Sequence, residues 1–135
     1  MGMSVRAADW FRQAEADLQH ARHALRDGDH EWACFAAQQA AEKAVKATLQ
    51  KPATRVRGNS VTMLLANLSE SIGLTTDLID KAKELDKHYI ASRYPYSWPS
   101  GAPFQYYTES QAERSIQYAD EIISFCGDIL SGKDG

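Results

Sequence analysis

The sequence has no long apolar run, only two cysteines and no excess of positive charge, and each shortage removes a class of protein. Charged residues interrupt every apolar stretch, so nothing approaches the roughly 18 consecutive apolar residues that a membrane-crossing helix needs. The start, Met1-Gly2-Met3-Ser4, lacks a secretory signal's apolar segment, and Arg6 stands where a myristoylation signal has Ser or Thr. A cytoplasmic protein with no membrane partner is expected. Cys34 and Cys126 lie far apart, without a C-x-x-C or a nearby His pair, which argues against a zinc knuckle or a disulfide framework and for two buried, reduced thiols. Fifteen Lys and Arg against eighteen Asp and Glu give a net charge of −3, so there is no whole-chain electrostatic footprint for nucleic acid. Any phosphate must be met by a local patch.

What the chain does have is enough apolar material, 44% of 135 residues, for one core and a single domain spanning 1–135, with the packed part at about 6–130. Phe11, Ala14, Leu18, Ala21 and Leu25 recur at steps of three and four and define one stripe of a helix. Gly28 is placed to end it in the left-handed conformation and Asp29 to cap the next, which gives a tight antiparallel pair. The second helix, about His30 to Leu49, carries a seam of Ala33, Ala37, Ala40, Ala44 and Ala47, with Trp32 and Phe35 near its start. Such small side chains let a neighbouring helix approach closely.

A surface loop follows from Gln50 to Gly58. Asn59 or Ser60 then caps a shorter helix with Val61, Leu64, Leu65, Leu68 and Ile72 inward, stopped by Gly73. Thr75 or Thr76 starts a fourth helix with Leu78, Ala82, Leu85 and Tyr89 inward, ending near Arg93 because Pro95 pushes Tyr94 out of the helical region. Thr108-Glu109-Ser110-Gln111 resembles a capping box, and Ala112, Ile116, Ala119, Ile123, Cys126 and Leu130 form the most regular stripe in the chain. No segment shows sustained strand alternation. The expected fold is all-α, an up-and-down antiparallel four-helix bundle with one additional short helix.

Helix periodicity does not account for the segment from Tyr94 to Tyr107. It concentrates Tyr94, Tyr96, Trp98, Phe104, Tyr106 and Tyr107 with Pro95, Pro99 and Pro103. Either these rings close the open end of the bundle, which is the preferred reading, or they form a partner interface or a stacking surface for bases.

Three elements in order carry a family resemblance. They are Ala8-Asp9-Trp10-Phe11 with Ala14-Glu15-Ala16-Asp17-Leu18; Glu31-Trp32-Ala33-Cys34-Phe35 leading into Gln38-Gln39-Ala40-Ala41-Glu42-Lys43-Ala44-Val45-Lys46-Ala47; and Tyr89 with Arg93-Tyr94-Pro95. Together they resemble the HEPN family, the higher-eukaryote and prokaryote nucleotide-binding domains. The subgroup it looks like is related to the helical substrate-binding domain of aminoglycoside nucleotidyltransferases and to the terminal domain of sacsin. The resemblance implies a five-helix bundle, commonly a homodimer, encoded beside a minimal nucleotidyltransferase in toxin–antitoxin or nucleotide-transfer modules.

Many proteins of that family are metal-independent RNases with an R-x4-6-H motif, in which the histidine is a general acid or base and the arginine stabilises phosphorane charge. No arginine here has a histidine five to seven residues beyond it; after Arg93 those positions hold Trp98, Pro99 and Ser100. Where relatives commonly show Gly-His-Ser-Leu, this chain has Gly58-Asn59-Ser60-Val61, and asparagine does not titrate near neutral pH. No catalytic residue is assigned. The expected function is therefore a non-catalytic nucleotide-binding or partner-binding module, with a nuclease of divergent active site as the alternative.

The binding candidates follow from charge and spacing. Lys43, Lys46, Lys51, Arg55 and Arg57 make a basic segment, although a solvated face is its more ordinary explanation. Arg93 is the stronger single candidate. It is four residues after Tyr89 and two turns after Asp86, so either the Asp86 carboxylate or the Tyr89 hydroxyl is placed to hold it, while Tyr94 offers a ring beside the guanidinium. Glu42 is a candidate base for hydroxyl activation in a complex with a nucleotidyltransferase. Inward Glu-x-x-His pairs are absent, and Asp17 with His20, the nearest spacing, falls off the apolar stripe, so no metal or cofactor is expected. The ligand implied is a nucleotide.

Overall fold

The computed structural model describes residues 4–50, 56–68 and 72–132. Ser4 accepts the N–H of Ala7 and opens α1, Val5–Arg26. Gly28, at φ 83°, makes the left-handed turn that only glycine adopts without strain, and α2 runs His30–Thr48. Asp29 occupies the position before α2, but its side chain makes no capping hydrogen bond there, contrary to expectation. α2 packs chiefly against α1 and α6, the latter spanning Glu109–Leu130, and the whole alanine seam is buried between them. Small residues let both neighbours approach, which makes α2 the centre of the bundle.

The short helix is shorter than the periodicity indicated. α3 covers Val61–Leu65, with Ser60 accepting from Met63 N–H, and the chain leaves the helix before Leu68 and Ile72, which are only half-buried. The fourth helix is broken in two: α4, Thr76–Asp86, and α5, His88–Ala91, meet at Lys87. Leu78, Ala82 and Leu85 face inward as expected, but the next inward residue is His88, not Tyr89. That one-residue change of phase turns Tyr89 toward α2, where it meets Phe35.

Thr108 and Gln111 form the expected capping box at the start of α6, each side chain accepting the other's backbone N–H. Between α5 and α6 the aromatic segment divides its labour. Tyr107 and Trp98 cover a small cluster of Ala24, Ala33, Cys34 and Ala112, while Tyr94, Tyr96 and Phe104 stay exposed. The result is an all-α, up-and-down antiparallel bundle whose four arms are α1, α2, α4 continued by α5, and α6, with α3 as the additional short helix and without strand among the described residues. Both cysteines are free and buried, and burial pushes the Cys34 thiol up to about 11 and Cys126 higher still, so both are inert thiols. No helix among the described residues is long and apolar enough to cross a membrane.

Candidate functional site

Asp86 does not hold Arg93. Its carboxylate accepts backbone N–H groups from Val61 and Thr62, at 2.8 and 3.0 Å, and the hydroxyls of Ser60 and Thr62, at 2.8 and 2.7 Å. It therefore satisfies the first, otherwise orphaned donors of α3 from outside that helix. Gln38, fully buried in α2, donates to the Asn59 carbonyl at 2.7 Å and to Asp86 at 3.2 Å. From Gln38 a polar chain runs along α2. Gln39 donates to the Gln38 side-chain oxygen Oε1 and to Glu42, and Lys46 donates to Glu42 at 3.1 Å.

This chain disposes of two sequence candidates. Glu42 is buried, and burial raises its carboxyl above the usual range against the opposing effect of Lys46. Lys46 is also buried and lies over the Trp10 ring, 5.5 Å from its centroid. Both are engaged inside the protein, so neither is placed to meet a ligand or a substrate hydroxyl. Arg57 is exposed on the loop, and Lys51 and Arg55 lie outside the described residues. Among its described members, Lys43 is paired with Asp17 and Lys46 with Glu42, while Arg57 stands exposed on the loop.

Arg93 does sit in a built environment. α5 ends irregularly: the Arg93 N–H turns to Ile90, and the Arg93 side chain supplies the Tyr89 carbonyl instead, Nε at 2.9 Å and Nη2 at 2.7 Å. The acceptor is the Tyr89 main chain, not its hydroxyl. Three rings surround the guanidinium, Phe35 at 4.3 Å, Tyr89 at 4.7 Å and Tyr94 at 5.1 Å from the centroid. No carboxylate among the described residues pairs with it, which leaves its charge to the rings and to whatever approaches from solvent. Tyr94 stacks on Tyr96 at 5.6 Å, and Tyr96 is 77% exposed.

Beside this cage, a cleft of about 230 Å³ opens between α1 and α2. Phe35 is common to both. Trp32, Gln39 and Lys43 line the cleft from α2, and Asp17 and His20 from α1. Lys43 donates to Asp17 at 2.5 Å, a half-buried ion pair across the two helices. Sequence reasoning did not single out Phe35, Trp32 or Gln39 for the site. The available signal was that Trp32 and Phe35 share a spacing of three off the alanine seam, which places two large rings together outside the helix–helix contact.

The model of the HEPN domain matches residues 7–129. The chain belongs to the HEPN family. Among solved structures, this HEPN chain resembles TT1696 of Thermus thermophilus, with a TM-score of 0.88 and 42% identity over 93% of this chain and 98% of that one. It also resembles ST0689, described as an archaeal HEPN homologue, with a TM-score of 0.77 and 41% identity over 92% and 97% of the two chains. A HEPN domain protein of Thermotoga maritima gives a TM-score of 0.72 and 43% identity over 91% and 98%. A Methanocaldococcus jannaschii protein named "Putative toxin MJ1304" is 28% identical, over 99% of this chain and 95% of its own.

Proposed function

We propose that this HEPN domain is a non-catalytic module of the toxin–antitoxin type, which binds a nucleotide at Arg93 and acts as a homodimer with a small nucleotidyltransferase. The observation that carries the ligand is the Arg93 cage. A guanidinium clamped on a carbonyl, ringed by Phe35, Tyr89 and Tyr94 and without a carboxylate among the described residues, offers its remaining N–H groups to a phosphate. The exposed Tyr94–Tyr96 pair beside it is suited to stacking or to contact with a second protein. The name of the M. jannaschii relative supports the toxin–antitoxin setting.

His88 argues against a hidden nuclease pair. It is the histidine nearest Arg93 in sequence, yet it turns into the core and hydrogen-bonds Tyr107 at 2.9 Å. Calorimetric titration with nucleoside triphosphates tests the ligand: saturable binding that Arg93→Ala abolishes is expected, and absence of heat across the panel overturns nucleotide binding. Metal-independent cleavage of mixed RNA, lost in Arg93→Ala, would overturn the non-catalytic assignment. Sedimentation of a monomer of 15.0 kDa at high concentration would remove the homodimer. A neighbouring reading frame for a small nucleotidyltransferase, co-purifying with this chain, is the expected partner; failure of the two to associate overturns that part.

A further inference from the structure

The α1–α2 cleft differs from the Arg93 cage in what it can recognise. At about 230 Å³ it is smaller than the roughly 300–1,000 Å³ of pockets that enclose whole drug-sized ligands, so it suits a planar ring, not a complete nucleotide. Trp32 is 49% exposed and meets Phe35 edge-on, with centroids 6.2 Å apart and planes at 80°, which leaves an indole surface open for stacking. Phe35 carries the Arg93 guanidinium over its ring, so cleft and cage are joined through one side chain.

The polar groups of the cleft have a definite sense. Gln39 uses its amide nitrogen on Gln38 and Glu42, both acceptors, which fixes the orientation of the amide and leaves its carbonyl oxygen for a ligand. Lys43 has its charge met by Asp17, so this pair is a poor phosphate holder, contrary to the sequence expectation for Lys43. The pair instead sets the remaining N–H groups of Lys43 beside the Asp17 carboxylate, whose Oδ1 also accepts from Gln13 at 2.8 Å and keeps a lone pair for a further donor. Adenine presents the complement on one edge, the N7 acceptor beside the N6 amino donor, whereas guanine and hypoxanthine place O6, a second acceptor, where the amino group would be.

We infer that the cleft between α1 and α2 is an adenine pocket, in which the base stacks on Trp32 with its N6–N7 edge on Asp17 and Lys43 and its phosphates toward Arg93. This rests on the nucleotide reading above and adds the base to it. Titration of the full chain with ATP and with ITP, which differs in the amino group, tests it. ATP is expected to bind about tenfold more tightly, and Trp32→Ala is expected to lose that factor in ATP affinity. Trp32 is exposed enough for this variant to fold, and the comparison of ATP with ITP on the unaltered chain needs no variant. Equal binding of ATP and ITP, both lost in Arg93→Ala, overturns the adenine pocket and leaves the nucleotide reading standing. An ATP affinity unchanged in Trp32→Ala also overturns it. Binding of neither nucleotide overturns both.

Discussion

The Asp86 carboxylate and the Val61 N–H, 25 residues apart, are joined by a 2.8 Å hydrogen bond that ties the end of α4 to the start of α3. With the bonds from Thr62, Ser60 and Gln38, one carboxylate organises the N-terminus of a five-residue helix too short to hold itself. Sequence reasoning linked Asp86 to Arg93 because both share a helix face at that spacing. The break at Lys87 alters the phase, and the nearer orphan donors of α3 claim the carboxylate.

Replacing Asp86 should therefore act on stability. Asp86→Ala removes a cap and leaves backbone N–H groups and Gln38 short of a partner, at a cost of about 2–4 kcal/mol. Asp86→Asn keeps one acceptor oxygen and should lose less. Urea unfolding of the three proteins checks this order, and a loss for Asp86→Ala within about 0.5 kcal/mol, the range of an ordinary surface substitution, would remove the organising role.

The helices were legible because their burial is one-sided and periodic. The Ala33–Ala47 seam, the α6 stripe from Ala112 to Cys126 and the Thr108–Gln111 box stand where the spacing put them, while Leu130, the last residue of that stripe, is only half-buried. The site was less legible because its parts are set by tertiary geometry. Arg93 could be singled out as an arginine between aromatics, but its real acceptor is a carbonyl freed by the irregular end of α5, which side-chain spacing does not report. Likewise, Lys43 and Lys46 do look like a shared cationic face, and only the position of α1 shows that Asp17 and Trp10 meet them.

Glu42 and Lys46 are a buried pair one helical turn apart, and such a pair is costly to break on one side but not to replace entirely. Lys46→Met should destabilise the protein by about 3–5 kcal/mol, because it leaves Glu42 desolvated with Gln39 as its remaining donor. Glu42→Gln combined with Lys46→Met should recover a large part of that loss. Thermal unfolding of both single variants and the double variant measures the coupling, and simple additivity of the two losses would show that the pair does not act as a unit.

His88 gives the protein its clearest expected pH dependence. It is 9% exposed, with Nδ1 2.9 Å from the Tyr107 hydroxyl, and burial holds its pKa down from the ordinary 6.5 to about 4, against the pull of Glu84 and with the help of Arg114 and Lys87. The unfolded chain takes up a proton at this residue near pH 6.5, whereas the folded chain resists until about 4. Stability from this site is thus fully present above pH 6.5 and lost progressively as the pH falls to about 4, by about 3 kcal/mol at 1.36 kcal/mol per pH unit. Glu42 works in the opposite sense: its raised pKa favours the folded state at low pH, and that contribution disappears as the pH rises. The two are separated by His88→Gln, which keeps a polar partner for Tyr107 without a titrating ring. Chemical unfolding between pH 4 and 7 should show the unaltered protein losing about 3 kcal/mol more than this variant over the window. Parallel curves would mean that His88 takes up its proton in the folded protein at the same pH as in the unfolded chain, and that burial does not keep it neutral.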